Sequence, residues 1–173
     1  MKQITVGFSK ACTFFPIFSW LIMLTEGTPY SHVYIKVTDT EAKIPLVYQA
    51  SHSFVNSMGE TMWASQETVI QEFNFQVSDV SYQKIKAFSI AQLGVPYGVL
   101  SIVGLAWVQM LKCVGISATN PFRDNGQTYV CSQFVSTILE SCENVSISEN
   151  INNITPKDLF AIVQKLPQVL SVD

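Results

Sequence analysis

Charged residues are scarce in this sequence. Asp, Glu, Lys and Arg make up 13% of the 173 residues, about half of the usual ~25%, and no run of Lys or Arg occurs. The net charge of -3 and the pI of about 5.3 argue against a nucleic-acid partner, because non-specific binding requires a basic face that releases counterions. Apolar residues make up 48% of the chain, which excludes disorder and fits one domain over residues 1–173.

Metal-ligating residues are also few. The only histidines are His32 and His52, and no cysteine belongs to a C-x-x-C pair. A zinc site would need ligands from scattered positions, so we expect no metal and no cofactor. Since the chain shows no clear signal peptide, we expect a cytoplasmic location and free thiols rather than disulfides. The four cysteines are Cys12, Cys113, Cys131 and Cys142.

One apolar run, residues 98–115, approaches the ~18 residues at which a membrane-spanning helix is considered. Gln109 and Lys112 lie within the run, and three glycines and a serine lower its hydropathy. Turn-forming residues flank it on both sides. We therefore expect a buried or partly exposed helix that lines a substrate groove, with peripheral membrane contact through 98–115 as an alternative.

Hydrophobic periodicity divides the chain into a strand-rich and a helix-rich part. The predicted strands cover 4–9, 31–38, 45–50, 54–58 and 68–77. The predicted helices cover 14–24, 80–93, 98–114, 131–142 and 159–165. This order predicts an α+β domain in which helices pack against an antiparallel sheet.

Three residues suggest nucleophilic chemistry. Cys131 lies where the turn-rich loop 120–127 gives way to a helix, and the positive end of a helix dipole favours a thiolate. His32 begins a strand, from which its imidazole would take the thiol proton and later return it to the leaving group. Gln49 lies on the adjacent strand. Its amide would orient the imidazole by accepting the ring N–H, as the asparagine of papain-like triads does.

Each of these residues also has a structural interpretation. Cys131 is then a buried, inert thiol and His32 an ordinary residue at a strand edge. His52 is a competing base, although its position in a turn is less rigid. The backbone N–H of Cys131 is a natural oxyanion donor, and Tyr30 or Ser31 either adds a second one or has a structural role.

Three short motifs carry a resemblance to a known family. They are 30–35 (YSHVYI), 47–51 (VYQAS) and 129–135 (YVCSQFV), and the turn 96–98 (PYG) accompanies them. In this order they resemble the circularly permuted papain-like hydrolases of the NlpC superfamily, which include the YiiX-like peptidases and the lecithin:retinol acyltransferase group. The resemblance spans about residues 4–140 and implies a papain-like fold.

The resemblance also implies roles for the three site residues. Cys131 matches the nucleophile of the family and His32 matches the base. Gln49 falls where the family usually has a glutamate or a histidine. Because a glutamine cannot stabilise an imidazolium by charge, either the activity is lower or another residue helps to orient His32.

The implied activity is that of a cysteine peptidase or amidase, which cleaves an amide bond through an acyl-thioenzyme intermediate. Its substrate would be a peptide, a cell-wall peptide or another acyl amide, and similar proteins are bacterial or bacteriophage products. One alternative is an acyltransferase or a thioester or lipid hydrolase on the same fold. Another is a non-catalytic binding protein on a degenerate papain-like scaffold. The sequence predicts no oligomeric state.

Overall fold

The computed structural model describes residues 1–11, 16–38, 43–51, 53–119, 121, 127–141, 145–147 and 150–170. Several residues considered above lie outside this part of the chain, namely Cys12, His52, Cys142 and most of the loop 120–127. Within the described ranges, the side chains of Gln109, Lys112 and Cys113 are likewise not described.

Five strands form one antiparallel sheet in the described part of the chain. They are β1 (Lys2–Ala11), β2 (His32–Thr38), β3 (Pro45–Ser51), β4 (Phe54–Gly59) and β5 (Glu67–Val77). Their order is β4-β3-β2-β1-β5, and every neighbouring pair is antiparallel. The predicted α+β class and antiparallel sheet are therefore confirmed.

Six α-helices accompany the sheet in the described residues. They are α1 (Pro16–Glu26), α2 (Glu60–Ala64), α3 (Asp79–Ala91), α4 (Val99–Cys113), α5 (Cys131–Glu140) and α6 (Pro156–Val163). Helix α2 and a 3₁₀ turn at Ile151–Asn153 were not predicted, because segments of five and three residues carry too little periodicity. Helix α6 opens as its sequence predicts, with Thr155 as the cap and Pro156 in the first turn, and the Thr155 side chain accepts a hydrogen bond from Asp158 N.

The main core lies between one face of the sheet and helices α3, α5 and α6. The alternation of β2 directs Val33, Ile35 and Val37 to this face, where they are almost fully buried. Phe134 and Ile138 of α5 pack in the same cluster. Helix α5 thus lies against the sheet that carries His32 and Gln49.

The opposite face of the sheet holds a smaller cluster of Tyr34, Val47 and Trp63. The ring of Tyr34 crosses over Gly7, its partner in the β1–β2 ladder, and occupies the space that a Cβ at position 7 would need. Trp63 comes from the short helix α2 and packs against Tyr34, with ring centroids 4.2 Å apart. Helix α2 therefore covers this face of the sheet.

Helix α4 is partly exposed, as the sequence predicted. Ser101, Ile102 and Val108 are buried, whereas Leu100 and Trp107 are exposed. Within the described ranges, no helix combines the length and the hydropathy that crossing a membrane would require.

Candidate active site

Cys131 is the first residue of α5 and is a free thiol with a relative exposure of 3%. The side chain of Gln133 fixes the helix start, since Oε1 accepts from Val130 N at 3.3 Å and Nε2 donates to Asn152 O at 3.1 Å. The first N–H groups of a helix have no partner within the helix. Cys131 therefore stands at the positive end of the α5 dipole.

Gln49 and Trp63 determine which nitrogen of His32 carries a proton. Nε2 of His32 lies 2.8 Å from Oε1 of Gln49, and Nε1 of Trp63 donates to the same oxygen at 2.9 Å. An indole N–H is only a donor, so the shared atom of Gln49 is the carbonyl oxygen. His32 must then donate from Nε2. Its Nδ1 remains as the nitrogen that accepts a proton from a nucleophile.

The amide of Gln49 is held by the β3–β4 hairpin. Gln49 lies opposite Asn56 in the ladder, and its Nε2 donates to Oδ1 of Asn56 at 3.3 Å. Asn56 in turn donates from Nδ2 to Oγ of Ser51 at 3.1 Å. Each of these bonds requires the same amide orientation, which keeps the oxygen of Gln49 directed at His32 and Trp63.

The thiol of Cys131 is a hydrogen-bonding neighbour of the His32 imidazole. Burial lowers the pKa of His32, but the hydrogen bond and negative charge of Cys131 act against it, together with the charge of Glu67 and the bond to Gln49. The balance raises the pKa of His32 from 6.5 to about 9. The structure thus brings together the three residues that the sequence singled out.

Tyr97 is a further neighbour of the sulfur, which sequence reasoning missed. The main chain fixes its position, because Tyr97 N donates to Ser53 O at 2.9 Å and Tyr129 N donates to Pro96 O at 3.1 Å. Burial, and then the charge and hydrogen bond of Cys131, raise the pKa of Tyr97 well above 10. Its hydroxyl therefore stays neutral and donates towards the sulfur. The PYG turn marked this segment in the sequence without indicating a role for the ring.

Glu67, the first residue of β5, is a buried carboxylate that sequence reasoning also missed. Its relative exposure is 8%, and Oε2 accepts a hydrogen bond of 2.9 Å from Oγ of Ser9. The residue stands one position before the predicted strand 68–77, so the strand pattern did not include it. A carboxylate at the start of an alternating strand is too common to mark a site by itself.

Tyr30 and Ser31, the two residues considered as second oxyanion donors, both contact other parts of the fold. The ring of Tyr30 stacks on Phe160 at 5.1 Å and packs against Phe8 at 5.2 Å. Oγ of Ser31 is hydrogen-bonded to Oγ of Ser19 on α1. Tyr97 is better placed as a donor than Tyr30 or Ser31, because its hydroxyl is hydrogen-bonded to Cys131.

A small cleft between α1 and α4 leads to Cys131. Its lining is mostly apolar and includes Leu21, Ile22, Ile102 and Val130. The cavity has a volume of about 30 Å³. Its apolar lining suits a small apolar group of a substrate beside the sulfur.

No protein-family model matches this sequence, and no curated protein was found to match it. The functional assignment therefore depends on the three short motifs and on the geometry of the site. The geometry is the stronger of the two, because it joins residues of three separate elements, α5, β2 and β3.

Proposed function

We propose that the protein is a papain-like cysteine hydrolase that cleaves an amide bond through an acyl-thioenzyme intermediate. The observation that carries this proposal is the contact of the Cys131 thiol, at a helix start, with a His32 ring whose other nitrogen is held by Gln49. The bond from Nε2 to Gln49 leaves Nδ1 of His32 as the proton acceptor for the thiol, which is the arrangement that this reaction requires. The order of a histidine strand before a cysteine helix supports the permuted form of the fold.

Acylation begins when the Cys131 thiolate attacks the carbonyl carbon of the substrate and forms a C–S bond. The carbonyl oxygen becomes an oxyanion, which accepts hydrogen bonds from the backbone N–H of Cys131 and from the hydroxyl of Tyr97. The His32 imidazolium gives its proton to the amide nitrogen, the C–N bond breaks, and the amine leaves.

Deacylation uses the same groups in reverse. Neutral His32 takes a proton from a water molecule, whose oxygen attacks the thioester carbon. The C–S bond then breaks, the carboxylic acid is released, and the sulfur and the imidazole regain the thiolate–imidazolium state. We propose a peptide, a cell-wall peptide or another acyl amide as substrate, with an apolar group seated in the cleft beside Cys131.

Selective alkylation tests the nucleophile. Limiting iodoacetamide at mildly acidic pH should label Cys131 far ahead of the other three cysteines, as read by peptide mass spectrometry. In His32→Ala this selectivity should be lost, whereas Cys142→Ala, the matched control, should keep it. Equal labelling of all four cysteines would overturn the catalytic proposal and leave the non-catalytic binding protein.

Hydrolysis tests the reaction itself. The wild-type protein should release an amine from cell-wall peptides or from acyl amides with small apolar acyl groups, and Cys131→Ala should release none. An acyl-enzyme on Cys131, seen as a mass increase of the intact protein, would identify the intermediate. Amine release that persists in Cys131→Ala would contradict the mechanism.

A second candidate function, an acyltransferase or a thioester or lipid hydrolase, is favoured by the outer face of α4. Of the five exposed large apolar side chains in its described part, four recur every three or four residues along the helix that lines the cleft, and such patches mark interaction surfaces. They are Leu100, Val103, Trp107 and Met110.

Vesicle flotation separates this candidate from the first. The lipid function predicts that the protein floats with phosphatidylcholine vesicles and that Leu100→Ser with Trp107→Ser abolishes flotation. Ile44→Ser, which removes an exposed apolar side chain elsewhere, is the control. No flotation of the wild-type protein would count against the lipid function and leave amide hydrolysis.

A further inference from the structure

Glu67 is a buried carboxylate near His32 and Cys131, but the mechanism described above does not use it. Burying a carboxylate without a partner costs free energy, so we expect a positive group that compensates the charge of Glu67. Its hydrogen bond from Ser9 Oγ, at 2.9 Å, satisfies one oxygen without neutralising the charge. The question is which positive group this charge faces.

The sheet register answers this question. Ser9 lies directly opposite His32 in the β1–β2 ladder. Directly opposite residues share a face of the sheet, with Cβ atoms about 5 Å apart. In the β1–β5 ladder Ser9 pairs with Val69 and Glu67 pairs with Ala11, so Glu67 lies diagonal to Ser9 on the same face of the sheet. The hydrogen bond of 2.9 Å from Oγ of Ser9 spans this diagonal and links the carboxylate of β5 to the residue that pairs with His32.

The remaining neighbours of the imidazole do not supply a lasting negative charge. The titratable groups that face it from the described elements are Cys131 of α5 and Glu67 of β5, with Tyr97, which bonds to the sulfur. Tyr97 is neutral, and Gln49 of β3 is an uncharged acceptor. Cys131 loses its charge once the sulfur has become a thioester.

We propose that Glu67 is the fixed counter-charge of His32 and supplies the charge that Gln49 cannot supply. Its role is that of a positioning residue, acting through the charge and orientation of the imidazole, and the catalytic part of this inference depends on the proposed hydrolase function. During acylation the imidazolium exists before the attack and has the thiolate as partner. During deacylation it forms opposite a neutral thioester, so the carboxylate matters most in that step.

The charge effect agrees in direction with this arrangement. The charge of Glu67 acts against the lowering of the His32 pKa by burial, in addition to the contribution of Cys131. The same carboxylate adds to the raised pKa of Tyr97. Glu67 therefore favours the protonated form of each of these two groups.

A titration of His32 tests the proposal without any catalytic turnover. The chain has only two histidines, so NMR resolves His32 once His52→Gln has assigned the other signal. In a Cys131→Ala background, Glu67→Gln should lower the titration midpoint of His32 by about one pH unit, the smaller end of the effect of a neighbouring charge. Glu72→Gln, on the same strand but bonded to Tyr34 and Lys36, should leave the midpoint unchanged.

Ser9→Ala provides a second variant. It keeps the carboxylate but removes the hydrogen bond that holds it, so the midpoint should fall in the same direction by less. This result is informative even where Glu67→Gln does not fold, which circular dichroism would show. An unchanged midpoint in the variant or variants that fold would overturn the proposal.

The reaction provides the catalytic readout. With an acyl amide that the wild-type protein cleaves, Glu67→Gln should slow deacylation about tenfold, the equivalent of one pKa unit, and acylation by less. The acyl-enzyme should then accumulate in intact-mass spectra. Equal slowing of both steps would overturn the assigned role. If the wild-type protein forms no acyl-enzyme at all, the hydrolase proposal fails, while the titration still decides whether Glu67 is the counter-charge.

Discussion

The amide oxygen of Gln49 accepts a hydrogen bond of 2.8 Å from Nε2 of His32. The indole N–H of Trp63 donates to the same oxygen at 2.9 Å. Because both partners are donors, the tautomer of His32 follows from a side chain that has no charge. Orientation and charge stabilisation, which one carboxylate would provide together, are divided here between Gln49 and Glu67.

Substitutions of Gln49 separate orientation from charge. Gln49→Ala leaves the N–H groups of His32 and Trp63 without their acceptor, which should lower the free energy of unfolding by about 1–3 kcal/mol and slow amide cleavage about 100-fold. Gln49→Glu keeps the acceptor and adds a charge, so it should raise the pKa of His32 further and retain activity.

Urea denaturation, NMR titration and the rate of amine release measure these three effects. Gln71→Ala is the control, since it removes an exposed amide that donates to the main chain of Glu72 and leaves the bonds of Gln49 in place. Gln49→Ala cleaving the amide as fast as the wild-type protein would contradict an orienting role for Gln49.

The centre of the sheet was predictable because β1 and β2 repeat an apolar residue at every second position. Val33, Ile35 and Val37 all enter the core, as that alternation requires. Helix α2 was not predictable, because five residues do not establish a helical period. Its position depends on Trp63 packing against Tyr34, a contact between residues 29 positions apart that no local pattern encodes.

The site was predictable where residue chemistry and local position agree. Cys131 marks its own helix start, and the motif order placed His32 and Gln49 on neighbouring strands. Tyr97 and Glu67 could not be found in this way. Each reaches the site through strand and segment pairing across the fold, and neither residue type is unusual at its position in the sequence.

Tyr97→Phe tests the second oxyanion donor. The ring keeps its packing, but the hydroxyl that bonds to the sulfur is lost. We expect kcat to fall about 100-fold, the typical effect of removing one oxyanion donor, with KM little changed. Alkylation by iodoacetamide forms no oxyanion, so its rate should change much less than kcat. Tyr129→Phe is the matched control, and an equal fall of kcat in both variants would argue against a specific role for Tyr97.

Gly7→Ala tests the contact that holds β1 and β2 together beneath Tyr34. A Cβ at position 7 would overlap the Tyr34 ring, so the substitution should lower the free energy of unfolding by about 3 kcal/mol. Gly59→Ala is the matched control, because nothing lies within 4 Å of its Cβ position. In the Tyr34→Ala background the cost of Gly7→Ala should be smaller, as urea denaturation of the double variant will show. Equal costs in both backgrounds would contradict the steric explanation.

Glu26 should make the stability of the fold depend on pH. It ends α1 beside the cleft, and its Oε2 accepts from Lys157 N at 2.9 Å, which ties α1 to the first turn of α6. Burial raises the pKa of Glu26 from 4.5 to about 7, against the opposing effect of the hydrogen bond from Lys157. The folded protein therefore binds a proton that the unfolded chain releases at lower pH.

The sign of the effect follows from this difference. The contribution of Glu26 to stability is fully present below pH 4.5 and is lost as the pH rises through about 7. Glu26→Gln keeps an oxygen acceptor and cannot ionise, so it should gain stability relative to the wild-type protein over this range, by about 3 kcal/mol at most. Urea denaturation from about pH 5 to about pH 8 measures the gain, with Glu140→Gln, at an exposed carboxylate of α5, as the control. A difference between Glu26→Gln and the wild-type protein that stays constant across this range would mean that Glu26 is already ionised in the folded state.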